Sequence, residues 1–198
     1  MKLFSLTIIL ISSVWAIAQT EDSLFLEVKT FQKEQNEHYW DKEQSPLKKK
    51  ERKKFKGHNF FEIDLNYRVN ARVEVLENQD TIVMPTSAGT EKKYLRYAKL
   101  HFVIDSASYV LTAYMSAKLQ YQDYLFIPFT DQTSGNETYG GGRYLDIEVP
   151  QNDSVIINFN LAYNPYCAYT SGWFCPFPPA ENNLNVAIKA GLMAPDLH

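Results

Sequence analysis

The stretch Tyr67-Arg68-Val69-Asn70-Ala71-Arg72-Val73-Glu74-Val75 decides the fold class. Tyr67, Val69, Ala71, Val73 and Val75 alternate with Arg68, Asn70, Arg72 and Glu74. Side chains on a strand point to opposite faces in turn, so this pattern reads as a strand with one face buried. Similar periodicity predicts strands over 81–84, 94–104, 109–117, 124–129, 144–149, 154–159 and 185–188. Asn78-Gln79-Asp80, Ser87-Ala88-Gly89 and Asp105-Ser106 supply turns between them. Short strands with regular turns predict a mainly-β fold, an antiparallel β-barrel or sandwich of about eight strands. The aromatic content of 14%, with 13 Tyr and 12 Phe, agrees, because aromatic side chains suit a pleated half-buried surface.

Upstream of the strands the period is helical. Leu24, Val28 and Phe31 fall on one helix face, with Asp22 or Ser23 placed to cap its start, predicting a helix over 21–40. Ser45-Pro46 and Gly57 predict the start and stop of a second short helix. It carries Lys48, Lys49, Lys50, Arg52, Lys53 and Lys54, a solvated basic face that also suits weak contact with an anionic envelope surface.

Residues 1–18 read as a signal peptide. Lys2 gives a short positive start, an apolar run follows, and Ala16-Ile17-Ala18 is a small-x-small cleavage site before Gln19. The expected division is 1–18 signal peptide, 19–57 helical segment, 58–192 β domain and 193–198 tail, with a periplasmic or secreted destination. No later segment is apolar enough to span a bilayer as a helix. The chain has 20 basic and 23 acidic residues and a net charge of −3, a balance unlike that of a nucleic-acid binder. In an oxidising compartment the two cysteines, Cys167 and Cys175, read as a disulfide rather than a metal pair. Such a bridge would brace the Pro- and aromatic-rich segment 161–183, stabilising it by roughly 2–3 kcal/mol.

Several stretches carry a specific resemblance. They include Leu125-Phe126-Ile127-Pro128-Phe129, Glu137-Thr138-Tyr139-Gly140-Gly141-Gly142-Arg143-Tyr144-Leu145-Asp146 and Ala162-Tyr163-Asn164-Pro165-Tyr166-Cys167-Ala168-Tyr169. With Tyr39-Trp40, Phe60-Phe61 and Glu181-Asn182, they resemble the bacterial family filed as domain of unknown function 1684, uncharacterised exported proteins. The resemblance spans most of 39–191. It implies a shared fold and a shared site, and brings no activity with it. Two departures stand out: family members carry an acidic residue where this chain has Asn158, and Gly-Glu where it has Gly191-Leu192.

No nucleophile-elbow, Ser-x-x-Lys, His-Glu-x-x-His or phosphate-loop motif is present. His38, His58, His101 and His198 are too scattered for a zinc site, and no cofactor is expected. Tyr139-Gly140-Gly141-Gly142-Arg143 reads as a glycine-rich connection between strands, with close approach of a ligand to the backbone as the alternative. Asp131, Arg143, Asp146, Asn160, Tyr163, Asn164 and Glu181 recur beside apolar strand ends and are expected around one pocket. They suit either structural pairing or contact with a polar ligand. Tyr163, Tyr166, Tyr169, Trp173, Phe174 and Phe177 are expected to plug the barrel end, or to form a stacking platform for sugar rings. The expectation is a non-enzymatic envelope protein binding a polar ligand or glycan at the barrel mouth. The alternative is a hydrolase using Asp131, Asp146 and Glu181.

Overall fold

A computed structural model describes residues 7–117 and 123–196, with side chains described from residue 21 onward. The signal-peptide expectation for 1–18 lies outside the residues whose side chains are described.

Seven strands form one antiparallel sheet that curls into a half-barrel: β1 Arg68–Val75, β2 Thr81–Pro85, β3 Glu91–Ile104, β4 Ala107–Ser116, β5 Tyr124–Phe129, β6 Arg143–Glu148 and β7 Ser154–Asn158. Their order is β6-β5-β4-β3-β1-β7, and β2 pairs with the first part of β3. The fold class read from the sequence holds. Arg72↔His101 pairs β1 with β3, and Val69↔Ile157 pairs β1 with β7. Asp105 and Ser106 both have positive φ, so β3 and β4 join through a two-residue turn matched to strand twist.

The alternation seen in the sequence gives the sheet its two faces. Val69, Ala71, Leu100, Phe102, Leu111, Ala113, Leu125, Ile127, Phe129, Leu145 and Ile157 point to the concave side and form the main core. Each large apolar side chain buried there stabilises by roughly 1.5–3 kcal/mol.

Residues 185–188 do not form the eighth strand. They belong to an irregular segment whose Leu184, Ile188 and Ala190 fill the inside of the half-barrel. Its backbone bonds the loop that follows β5, the Leu184 N–H donating to the Thr130 carbonyl at 2.8 Å and the Gln132 N–H to the Val186 carbonyl at 3.1 Å, and its later carbonyls are met by Arg143. The segment 161–183 does not plug the barrel end either. It crosses the outer face of the sheet, and is stitched to β6 by reciprocal Tyr144–Tyr163 backbone bonds of 2.8 and 3.0 Å. Beyond β2 it is held by Ser87 N–H to the Cys175 carbonyl, 2.9 Å, and by Phe177 N–H to the Pro85 carbonyl, also 2.9 Å.

Two helices precede the sheet. α1 spans Thr7–Trp40 and runs straight through Asp22 and Ser23, so neither caps its start. α2 is a single turn, Lys49–Arg52, capped at Lys48, whose N–H is bound by the Glu51 carboxylate. Ser45 instead anchors the preceding loop by donating to the Tyr39 carbonyl, 2.7 Å. Val28 is buried on the inner face of α1, as its spacing predicts. Tyr39, Leu47, Ala168, Tyr169 and Leu192 form a second core with Phe55, Phe60 and Tyr166. Leu192, one of the two departures from the family pattern, is thus an apolar filler of this core.

Candidate functional site

The outer face of the sheet carries a row of aromatic rings. On β5 and β6 the phase opposite the core places Phe126, Tyr144 and Asp146 outward, and Tyr94 of β3 joins them. Tyr94 and Phe126 stack with centroids 5.3 Å apart. Phe126 meets Tyr144 edge-to-face at 4.8 Å, and Tyr144 meets Tyr163 at 5.8 Å. The crossing segment raises a wall of Tyr166, Trp173, Phe174, Cys175 and Pro176 beside this row, enclosing a groove of about 1000 Å³. Tyr166 and Trp173 stand edge-to-face at 4.7 Å, and Trp173 and Phe174 keep 39% and 51% of their surface exposed.

Asp146 stands at the end of the row. The Tyr163 hydroxyl donates to its Oδ2 at 2.5 Å. The carboxylate opens to a smaller recess that adjoins the groove at Tyr94 and Phe126. Protein surrounds it closely, and this desolvation raises its proton affinity above the ordinary aspartate range, with Tyr163 opposing. Tyr163 is held protonated by burial and by the carboxylate beside it. Burial, with the charge of Asp146, pushes Tyr94 up to about 12. A second groove, about 940 Å³, runs between α1 and the β6 and β7 edges, and shares Tyr163 and Tyr166 with the first.

The seven residues expected around one pocket divide into separate places. Only Asp146 and Tyr163 meet in the grooves. Asp131 and Arg143 form an ion pair of 2.8 Å, with both side chains wholly buried on the concave side. Arg143 donates further to the carbonyls of Ile188, Ala190 and Leu192. Asn160 bonds the Asp64 backbone in both directions, its Oδ1 accepting at 3.0 Å and its Nδ2 donating at 2.8 Å. Asn164 donates to Tyr169 Oη and to the Met193 carbonyl. Glu181 accepts from Arg96 Nε at 2.9 Å and from the Tyr114 hydroxyl.

The triple glycine has a packing explanation. At Gly142, φ is +85°, and a Cβ would lie 2.6 Å from the Phe129 carbonyl and 2.5 Å from Pro178. Cys167 and Cys175 stand together as thiols; the Cys167 N–H points to Cys175 Sγ at 3.3 Å, and no disulfide joins them. The Cys175 thiol, with Ser87 and Tyr139, holds Cys167 down at about 6 against the opposing effect of burial.

Sequence reasoning missed Tyr94 and Phe126 as groove residues. The signal was available: β5 is apolar in both phases, Tyr124 and Phe126 as well as Leu125 and Ile127, which implies that both of its faces meet protein.

These features define a half-barrel with an aromatic groove roofed by its own Pro-rich segment. Residues 53–193 match the family described as Protein of unknown function (DUF1684), and the chain belongs to that family. It is also similar to an uncharacterized protein of Haloarcula marismortui solved by solution NMR, with 34% identity and a TM-score of 0.70. That match covers 91% of this chain and 99% of the other. No curated protein matches the chain.

Proposed function

We propose that this is an exported, non-enzymatic binding protein that takes a polar, ring-shaped ligand such as a glycan in the outer groove. One observation carries the reading: the aromatic row Tyr94–Phe126–Tyr144–Tyr163 shares the groove with the exposed rings of Trp173 and Phe174, and the Asp146 carboxylate, held by Tyr163, stands in the adjoining recess beside Tyr94 and Phe126. Sugar rings present apolar C–H faces and hydroxyl edges, which suit an aromatic wall and a carboxylate acceptor. The groove lies on the outer face of the sheet rather than at a barrel mouth. The hydrolase alternative loses two of its three carboxylates, since Asp131 pairs with Arg143 and Glu181 with Arg96.

Export is supported by the leader-like residues 1–18 alone. In an oxidising compartment the adjacent Cys167 and Cys175 would close as a disulfide and stiffen the groove wall. The basic run Lys48, Lys49, Lys50, Arg52, Lys53 and Lys54, exposed at all but the half-buried Arg52, would add a weak contact with an anionic envelope surface, checked by salt-sensitive binding to vesicles containing anionic lipid.

The binding test is a calorimetric and tryptophan-fluorescence screen of neutral oligosaccharides, such as cellohexaose, chitohexaose and xylohexaose. A bound oligosaccharide should perturb Trp173, and Trp173→Ala and Asp146→Asn should each weaken it about tenfold. Binding unchanged in both variants, or no binding across the panel, would overturn the reading.

A further inference from the structure

We infer that the second groove, between α1 and the β1–β7 ladder, contains an oxyanion subsite formed by Arg68 and Asn158, suited to the carboxylate of a hydroxylated acid. Arg68 and Asn158 are directly paired residues at the end of that ladder, so their side chains rise together from the same face, opposite Val69 and Ile157. Both line the groove.

Asn158 is 94% buried, its relative exposure being 6%. Its Oδ1 accepts from the Asn160 backbone N–H at 3.2 Å and from Asn160 Nδ2 at 3.0 Å. A backbone N–H can only donate, so the orientation of the Asn158 amide is fixed and Nδ2 faces away from those partners. Among the described residues Nδ2 has no acceptor, and neither has the buried Nε of Arg68. Among the described residues the Arg68 guanidinium enters no ion pair within 4.0 Å. A buried donor without an acceptor loses the hydrogen bond that water gave it and is costly. Two such donors side by side, one of them cationic, match two oxygens of one oxyanion.

The other wall narrows the class. Asp146 and Glu148 of β6 line the same groove and repel a bare anion, but they accept hydrogen bonds from hydroxyl groups. The fitting ligand therefore carries an acidic group at one end and hydroxyls at the other, as a sugar acid does. This inference rests on Arg68 and Asn158, not on the aromatic row, and stands or falls separately from the oligosaccharide reading.

The test is a two-dimensional ¹H–¹⁵N NMR titration of the full chain, following the side-chain resonances of Arg68 Nε and Asn158 Nδ2. The probes are D-glucuronate, inorganic phosphate and, as a neutral control, D-glucose. Glucuronate should shift both resonances saturably, inorganic phosphate more weakly, and glucose not at all. Arg68→Gln should weaken glucuronate about tenfold or more. Asn158→Asp keeps the oxygen that Asn160 N–H requires and places a carboxylate beside Arg68, so it should abolish binding without lowering the melting temperature. Unmoved Arg68 and Asn158 resonances with both anions would show that water alone meets these donors and would overturn the proposal. So would unchanged glucuronate affinity in Arg68→Gln and Asn158→Asp. Phosphate binding tighter than glucuronate would overturn the sugar-acid assignment.

Discussion

Arg143 and Asp131 join the sheet to the segment that fills its interior. Arg143 Nη2 donates to Asp131 Oδ2 and to the Ile188 carbonyl, each at 2.8 Å, while Asp131 Oδ1 accepts from the Thr133 N–H and hydroxyl. A guanidinium in an apolar interior needs a charge partner and acceptors for its N–H groups, and the irregular backbone of 188–192 supplies carbonyls that no strand would. Removing one member strands the other. Arg143→Met and Asp131→Asn should each destabilise by about 3–5 kcal/mol in chemical denaturation. Arg143→Met should cost more, because it also frees the carbonyls of Ile188, Ala190 and Leu192. A loss under 1 kcal/mol in either variant would contradict this role.

Asn182 closes a gap in the sheet in a similar way. Among the described residues the β4–β5 ladder holds Tyr114↔Phe126 and Met115↔Leu125 before the strands part. Asn182, fully buried, then accepts from the Thr112 N–H at 2.8 Å and donates to the carbonyls of Thr112 and Pro128. Asn182→Ala leaves those backbone groups unpaired and should cost about 2–4 kcal/mol. Amide hydrogen exchange should localise the loss, with Thr112 losing its protection and β1 unaffected. Uniform loss across the sheet would argue against a local stitch.

The sheet was legible because its strands follow a period of two, and the same rule explains how far the site was legible. Arg143 and Asp146 lie three positions apart on β6, so one must face the core and the other the outer face. Sequence pattern alone therefore separates them, although proximity along the chain grouped them. Asp146 and Tyr163 were grouped as polar residues beside apolar strand ends, and these two meet because Tyr163 pairs with Tyr144 along β6. Asn185-Val186-Ala187-Ile188 looks like a strand, but its fate depends on Arg143 and Asp131, more than 40 residues upstream. Tyr94 enters the groove because β3 shifts register between Arg96 and Ala98, which lets Tyr94 face outward with Arg96 while Ala98 faces the core. Nothing local in the sequence marks that irregularity.

The cysteines give a chemical prediction. Under reducing conditions Cys167 should alkylate with a midpoint near pH 6, because its neighbour's thiol hydrogen bond favours its thiolate. Cys175, pushed up by that thiolate and by burial, should lag far behind. Peptide mapping after brief iodoacetamide treatment at pH 7 would separate the two, and equal labelling would refute the assignment. Protein recovered from a periplasmic fraction should instead show the bridged peptide pair and resist alkylation until reduced.

His58 should make stability depend on pH. Its ring is packed edge-to-face against Tyr39 at 4.3 Å, Phe55 at 4.9 Å and Tyr169 at 5.1 Å. Asn164 Nδ2 donates to the Tyr169 oxygen at 3.0 Å, so the Tyr169 hydroxyl donates onward to His58 Nδ1, also 3.0 Å, and that nitrogen must be unprotonated. Burial, aided slightly by His38 and opposed by the Gln35 backbone, lowers His58 to about 4. In the unfolded chain the imidazole takes up its proton near pH 6.5. Between those values the unfolded chain binds more protons than the folded one. The stability His58 contributes is therefore fully present above about pH 6.5 and is lost as pH falls toward 4, by up to about 3 kcal/mol. His58→Gln keeps an acceptor for Tyr169 and removes the titration. Urea denaturation from pH 7.5 to 5 should show the native slope flattened in that variant, whereas parallel curves would mean that His58 is protonated equally in both states.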